Sequence, residues 1–220
     1  MNAAAYLFCD VTISGITGNC TNAFATDMSG MLSFSTGPTI SITVPTAYAL
    51  YNVFHSANQG EIYVSGAAVT ISGPARTVIW AASSSAIYLN ACTITGTALG
   101  TFDGQTLSSC DANSMVQILA STLNLTFAKR NHAFATHAGG VMVFSGACTI
   151  KLTGTVGTST VRAYAQGYMG FATTVVFTGS SVTGARYNVS NNSYIATGNQ
   201  GANYIPGSTA GAVDTTSTYY

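Results

Sequence analysis

Charge is what this chain has least of. Six Lys and Arg stand against six Asp and Glu, so 5% of the sequence is charged and the formal net charge is zero, where an ordinary soluble domain carries about 25%. A surface so poor in charge is weakly solvated alone, which predicts that copies of the chain cover one another in a homo-oligomer. Arg76, Lys129, Arg130, Lys151, Arg162 and Arg186 are scattered apart from one adjacent pair, so no basic stripe exists for nucleic acid. No stretch approaches the ~18 unbroken apolar residues of a membrane span. The opening MNAAAYLFCDV lacks a basic region and meets Asp10 early, which argues against a signal peptide as well as membrane insertion. Five cysteines (Cys9, Cys20, Cys92, Cys110, Cys148) make an odd number without a C-x-x-C pair, and the three His lack zinc-site spacing. A regular disulfide framework and a structural zinc site are thereby excluded, no cofactor motif is present, and the cysteines are expected as buried free thiols of a chain folded in a reducing cytoplasm.

Apolar residues are plentiful at 47%, enough for the core of one continuous domain, and they recur with a long period. Residues 23–43, AFATDMSGMLSFSTGPTISIT, align without a gap on residues 133–153, AFATHAGGVMVFSGACTIKLT. With Phe24 as phase marker, large apolar residues stand at Phe54, Trp80, Leu107, Phe134 and Tyr164, at spacings of 30, 26, 27, 27 and 30. After each marker comes a small or polar turn, then an alternating segment (62–64, 87–89, 116–119, 141–144, 175–177), then a second segment of Thr-Ile type (69–71, 92–94, 123–125, 149–152). Alternation at period two marks these as strands.

A coil of about 27 residues divides into three short strands and three turns, the cross-section of a parallel β-helix. The prediction is an all-β, right-handed parallel β-helix over residues 1–183, with the six markers as one inward ladder of like residues and the Ile of the Thr-Ile strands as another. A sandwich or barrel shares the short strands and turns, but the sustained period favours the solenoid. A flat Thr array of the ice-binding kind is set aside, because the Thr positions drift with the spacing. The N-terminal end begins in strand-like sequence and reads as part of a longer fibre whose anchoring portion lies elsewhere.

After Thr183-Gly184 the repeat decays into a run rich in Gly, Asn, Ser and Thr that ends on Tyr219-Tyr220, read as a C-terminal cap or tip over residues 184–220. Gly198, Gly201, Gly207 and Gly211 are expected at unusual backbone angles or close chain approaches. Gly184-Ala185-Arg186-Tyr187, followed by Gly201-Ala202-Asn203-Tyr204-Ile205-Pro206-Gly207-Ser208-Thr209-Ala210-Gly211, resembles the C-terminal ends of bacteriophage and prophage tail fibre proteins. The chain departs from that pattern at residues 214–218, where closing glycines are usual. The resemblance implies a homotrimeric β-helical shaft or tip on the virion, continuous with the remainder of a tail fibre or tailspike, that recognises a host cell-surface glycan or outer-membrane receptor.

Some proteins of that kind also cleave the polysaccharide they bind, so a depolymerase is one rival reading and a purely structural fibre segment another. Glycoside hydrolysis generally uses two carboxyl groups about 5 to 9.5 Å apart. Asp27 and His137 share a face but stand four coils apart, about 20 Å at the strand spacing. Glu61 and Asp103 fall on different parts of the triangle. Asp111 approaches His137 on the next coil, either as an acid/base pair or as a hydrogen bond between turns. Lys129, Arg130 and His132 form the one dense basic group, read as a solvated turn. Saccharide binding needs only flat aromatic faces and neutral hydrogen bonders. Tyr63 and Tyr88 fall on consecutive coils, and Tyr168, Tyr187, Tyr194 and Tyr204 with Asn203 gather toward the distal end as the candidate binding residues. No catalytic or metal-binding residue is assigned, and the expected role is attachment to a host.

Overall fold

A computed structural model describes residues 4–35 and 37–220, with the side chains of all of these except 103 and 104. The period-two alternation becomes strands throughout, and among the described residues there is no helix. The chain winds about 8 turns of a parallel β-solenoid with about 27 residues per coil. One face stacks Ala4–Leu7, Met31–Phe34, Glu61–Ser65, Ala86–Asn90, Met115–Leu119, Val141–Ser145, Tyr168–Phe171, Tyr194–Ala196 and Thr218–Tyr219 in one parallel sheet. The second face stacks Val11–Ile13, Thr39–Thr43, Ala68–Ser72, Thr93–Thr97 and the first halves of two long strands, Thr122–Thr136 and Thr149–Tyr164. The third stacks Cys20–Thr26, Leu50–Ser56, Ala75–Ala81, Thr101–Cys110, the second halves of those long strands, and Ser181–Ser190. The long strands turn the corner between the second and third faces without a break, so those two faces form one sheet.

Register decides which side chains enter the core. The third face sends in Phe24, Phe54, Ile79, Ser108, Phe134, Val161 and Tyr187, one above another. The first face adds Phe34, Val64, Leu89, Ile118, Phe144 and Phe171, and the second Ile40, Val69, Ile94, Leu123, Ile150 and Phe177. Rings meet across the ladders: Phe134 lies edge-on to Phe144 at 5.0 Å, and Phe144 stacks on Phe171 at 4.8 Å. Each such buried side chain stabilises the coil by roughly 1.5–3 kcal/mol.

This register corrects several sequence expectations. Trp80 pairs with His55 and Ser109 on the outer side, and Ile79 takes the core position instead; on the next coil Ser108 holds the ladder position, and Leu107 is buried beside it. Tyr164 pairs with Ser190, and Val161 is the inward residue of its coil. Residues 175–177 belong to the second face, where Val176 and Phe177 pair with Thr149 and Ile150. The Thr positions do not drift: Thr39, Ala68, Thr93, Thr122 and Thr149 stand in one row and Thr43, Ser72 and Thr97 in another. The variation in coil length is absorbed elsewhere, in the connection 44–49 and in register shifts at Phe102/Thr106, Thr126/Lys129 and Thr155/Ser159.

The expected boundary between residues 183 and 184 falls inside the strand Ser181–Ser190, and Tyr194–Ala196, Ala212–Val213 and Thr218–Tyr219 carry the pairing onward. Gly211 makes the close approach expected of it, since a Cβ there would lie 2.3 Å from the Tyr187 ring. All five cysteines are free; Cys92, Cys110 and Cys148 are buried, whereas Cys9 is exposed and Cys20 half-buried.

The corner between the third and first faces is a stack of two-residue turns with both central residues left-handed, among them Asn58 and Gln59 (φ 47° and 67°), Ala112 and Asn113 (50° and 59°), and Asn191 and Asn192 (both 58°). The first two are closed by Gly60 N to Ala57 O at 2.8 Å and Ser114 N to Asp111 O at 3.2 Å. Left-handed backbone costs a non-glycine residue roughly 1–2 kcal/mol. Axial bonds between successive turns offset it: Gln59 N donates to Ser83 O, Ser84 N to Ala112 O and Asn113 N to Ala138 O, at 2.9–3.2 Å.

The ladder account predicts that Phe144→Ala lowers the unfolding free energy by about 3–5 kcal/mol. Thr95→Ala, on the outer side of the second face, should change it by no more than about 0.5 kcal/mol. Urea midpoints of the two variants check both.

Candidate functional site

On the third face the alternation breaks. Val53 and Phe54 are consecutive fully buried residues, as are Val78 and Ile79, Leu107 and Ser108, Ala133 and Phe134, and Thr160 and Val161, so these strands bend at the same register position from one coil to the next. The result is a trough along the axis, a cleft of about 390 Å³. Tyr51 and Arg76 form one wall, with the Arg76 guanidinium over the Tyr51 ring at 5.1 Å. Trp80, Ser109, Asp111 and His137 form the other, and the nearly buried Asn52 and Thr77 make the floor. The floor is a ladder of neutral hydrogen bonders: Asn52 Nδ2 donates to Asn22 Oδ1 at 2.7 Å, and Thr77 Oγ1 to Thr106 O at 3.2 Å. Gln105 enters the cleft from the irregularity between Phe102 and Thr106, as bulges near binding sites often re-aim a side chain.

Trp80 is the centre of the second wall. Its ring stacks on His55 of the preceding coil at 4.7 Å, and its Nε1 donates to Asp111 Oδ2 of the following coil at 2.9 Å. Asp111 Oδ1 accepts from Ser109 Oγ at 2.9 Å. The Asp111 carboxylate thus orients the indole, and its tie to the neighbouring coil runs to Trp80. His137 feels its charge: burial holds the His137 pKa below its ordinary value, Asp111 pulls it up and Arg162 pushes it down. His55 is likewise held low by burial and raised in part by Asp27.

The dense basic group is no solvated turn. Lys129 is exposed, but Arg130 is 0% exposed and His132 is 1%. Arg130 Nη1 donates to Arg76 O at 2.6 Å, and Nη2 to Ala75 O at 2.6 Å and to Leu99 O. Its guanidinium lies 4.6 Å from the Phe102 ring. Burial lowers its pKa to about 10, so it stays charged and pins the strand that carries Arg76. Burial also drives the His132 pKa down to about 3, with Arg162 adding to the effect. Neutral His132 accepts from Arg162 Nη1 through Nε2 at 3.4 Å, which leaves Nδ1 to donate to Ser159 O at 3.2 Å.

The distal tyrosines do not converge. Tyr168 and Tyr194 are neighbours on the outer side of the first face. Tyr187 points into the core at 8% exposure and stacks on Tyr219 at 3.9 Å. Tyr204 donates its hydroxyl to Val175 O at 2.7 Å and packs edge-on to Phe177 at 5.3 Å. Asn203 is exposed. Tyr63 and Tyr88 stack face to face at 4.6 Å on the first face. The Asp103 side chain lies outside the described residues.

Sequence reasoning misses the cleft residues Tyr51, Arg76 and Trp80, and His55 stacked on Trp80, because it places Trp80 in the core. The signal was present: LYNVFHS at 50–56 and ARTVIWA at 75–81 align without a gap, which sets Trp80 over a polar His55 and Ile79 over Phe54.

His132 gives a pH prediction whose sign is fixed. The unfolded chain takes up its proton near pH 6.5, the folded chain not until about pH 3. Stability is therefore complete above 6.5 and falls as pH drops from 6.5 towards 3, by up to about 1.4 kcal/mol per unit from this group. His132→Gln should flatten that part of the urea-midpoint profile. No protein-family model, no curated protein and no solved structure matches the chain, so the reading of the cleft rests on its own geometry.

Proposed function

We propose that this chain is the distal module of a bacteriophage tail fibre or tailspike, coiled right-handed and assembled as a homotrimer. On this reading it sits on the virion, joined to the remainder of the fibre, and attaches the particle by binding a host cell-surface glycan in the third-face cleft. The observation that carries the binding reading is the Trp80 ring, held rigid between His55 and Asp111 beside a floor of Asn and Thr. A flat apolar face next to neutral donors and acceptors matches a sugar ring, whose faces are apolar and whose rim is hydroxyl. The residues at 184–211 that resemble tail fibre C-termini supply the context.

Attachment is favoured over cleavage by the state of Asp111. It is the one carboxylate among the described residues lining the cleft, and both of its oxygens accept hydrogen bonds from protein groups, whereas hydrolysis of a glycosidic bond generally uses a pair.

Purified surface polysaccharide from a bacterium to which the protein adheres should bind without loss of chain length on size-exclusion chromatography. Trp80→Ala should weaken binding at least about tenfold, since a central aromatic anchor contributes on the order of 2 kcal/mol, and should leave the fold intact because the side chain lies outside the core. Undiminished binding by this variant would remove the cleft from the account, and shortened polysaccharide would make the protein a depolymerase.

A further inference from the structure

Charge is distributed unevenly around the coil. Strands of the third face carry Arg76, Lys129, Arg162 and Arg186 outside the core, besides the buried Arg130. The first face, in nine strands, carries one charged residue, Glu61, and its Oε2 accepts from the Tyr63 hydroxyl at 3.0 Å. The positions of this face that alternate with the core residues are rich in large apolar or aromatic side chains: Tyr63, Tyr88 and Val143 share one row with Ser33, Gln117 and Gly170, and Met115, Val141, Tyr168 and Tyr194 share the next with Glu61 and Ala86. The second face shows mostly hydroxyls at the equivalent positions, with Ser41, Thr70 and Thr95 in one row that ends on Asn124 and Lys151, and Thr43, Ser72 and Thr97 in another. Hydroxyls are content in water; a Tyr, Met and Val surface is not.

We infer that the outer side of the first face is where copies of this chain pack against one another. Its size fits the occupant. Nine strands about 4.8 Å apart, averaging about four residues of about 3.3 Å, make a flat rectangle of roughly 500 Å². A partner in a standard interface contributes about 800 Å², which the flanking corners complete. Tyr and Met are the residue types enriched in interface cores, and charge is what such cores lack. The inference also accounts for the chain's low charge: one side of the triangle needs no solvation. It places the third-face cleft outward, free for a ligand, and turns Tyr168 and Tyr194 from ligand contacts into contacts between copies. It rests on the chain being oligomeric, as the proposed function holds, and the test separates the two.

Light scattering on the full chain and on two double variants decides it. Tyr88→Lys with Val143→Lys places charge on the first face; Thr70→Lys with Thr95→Lys places it on the second. The expected result is a mass near three times 22.5 kDa for the unaltered chain and the second-face variant, and a mass near 22.5 kDa with unchanged far-UV circular dichroism for the first-face variant. A monomeric unaltered chain would refute the oligomer and the inference together. An oligomer that survives the first-face change would overturn the inference alone. Should the first-face variant fail to fold, hydroxyl-radical footprinting of the unaltered oligomer serves instead. Tyr194, 46% exposed on the single coil, should resist oxidation while Met28, 81% exposed at the corner, reacts rapidly; Tyr194 oxidised as its exposure implies would contradict the inference.

Discussion

The hydrogen-bonded register between one coil and the next is the constraint from which the rest of this structure follows. Once Phe24 stands over Phe54 and Ile40 over Val69, every residue is committed to a row, and a row must suit its environment along its whole length. Inward rows fill with Phe, Ile, Leu and Val. The corner rows accept left-handed backbone because each turn bonds to the next. Coils of unequal length keep the register by bulging at places such as Phe102/Thr106, where the ladder can open without moving the core. The same rule builds the cleft: a bend harmless in one strand becomes a trough when successive coils repeat it.

Much of the fold was legible in the sequence because a solenoid writes its period directly into the chain. The gap-free match of residues 23–43 with 133–153 corresponds to Phe34 and Phe144 in one ladder and to Ile40 and Ile150 in another. The misplacements of Trp80 and Tyr164 share one physical cause. A marker chosen for size assumes that the largest apolar residue faces inward, but an aromatic ring with a polar edge, Trp80 or Tyr164, is at home on an outer face with a hydrogen-bond or cationic partner, here Asp111 or Arg162. Counting from those residues shifted the phase, moved residues 175–177 to the wrong face and made the Thr rows look ragged.

The candidate site was less legible, because it depends on a break in alternation. Two consecutive buried residues, Val53-Phe54 or Val78-Ile79, read in sequence as ordinary apolar runs, and only the bent strand shows that Tyr51 and Trp80 face each other across a floor of Asn and Thr. Arg130 was similarly hidden. A basic residue beside Lys129 reads as surface, yet its two Nη groups donate to three backbone carbonyls beneath the Arg76 wall while Nε is left without a partner, and those charge-assisted bonds offset most of the cost of burying the guanidinium.

Trp80 is the chain's single tryptophan, which makes its emission a private reporter of the cleft. The most direct measurement is the intrinsic fluorescence of this chain titrated with surface polysaccharide fragments from a bacterium to which it adheres, with acrylamide quenching at each point. A glycan seated in the cleft changes the emission saturably and shields the indole from acrylamide. Saturable adhesion with the emission and quenching of Trp80 unchanged would place the ligand elsewhere on the coil and contradict the account.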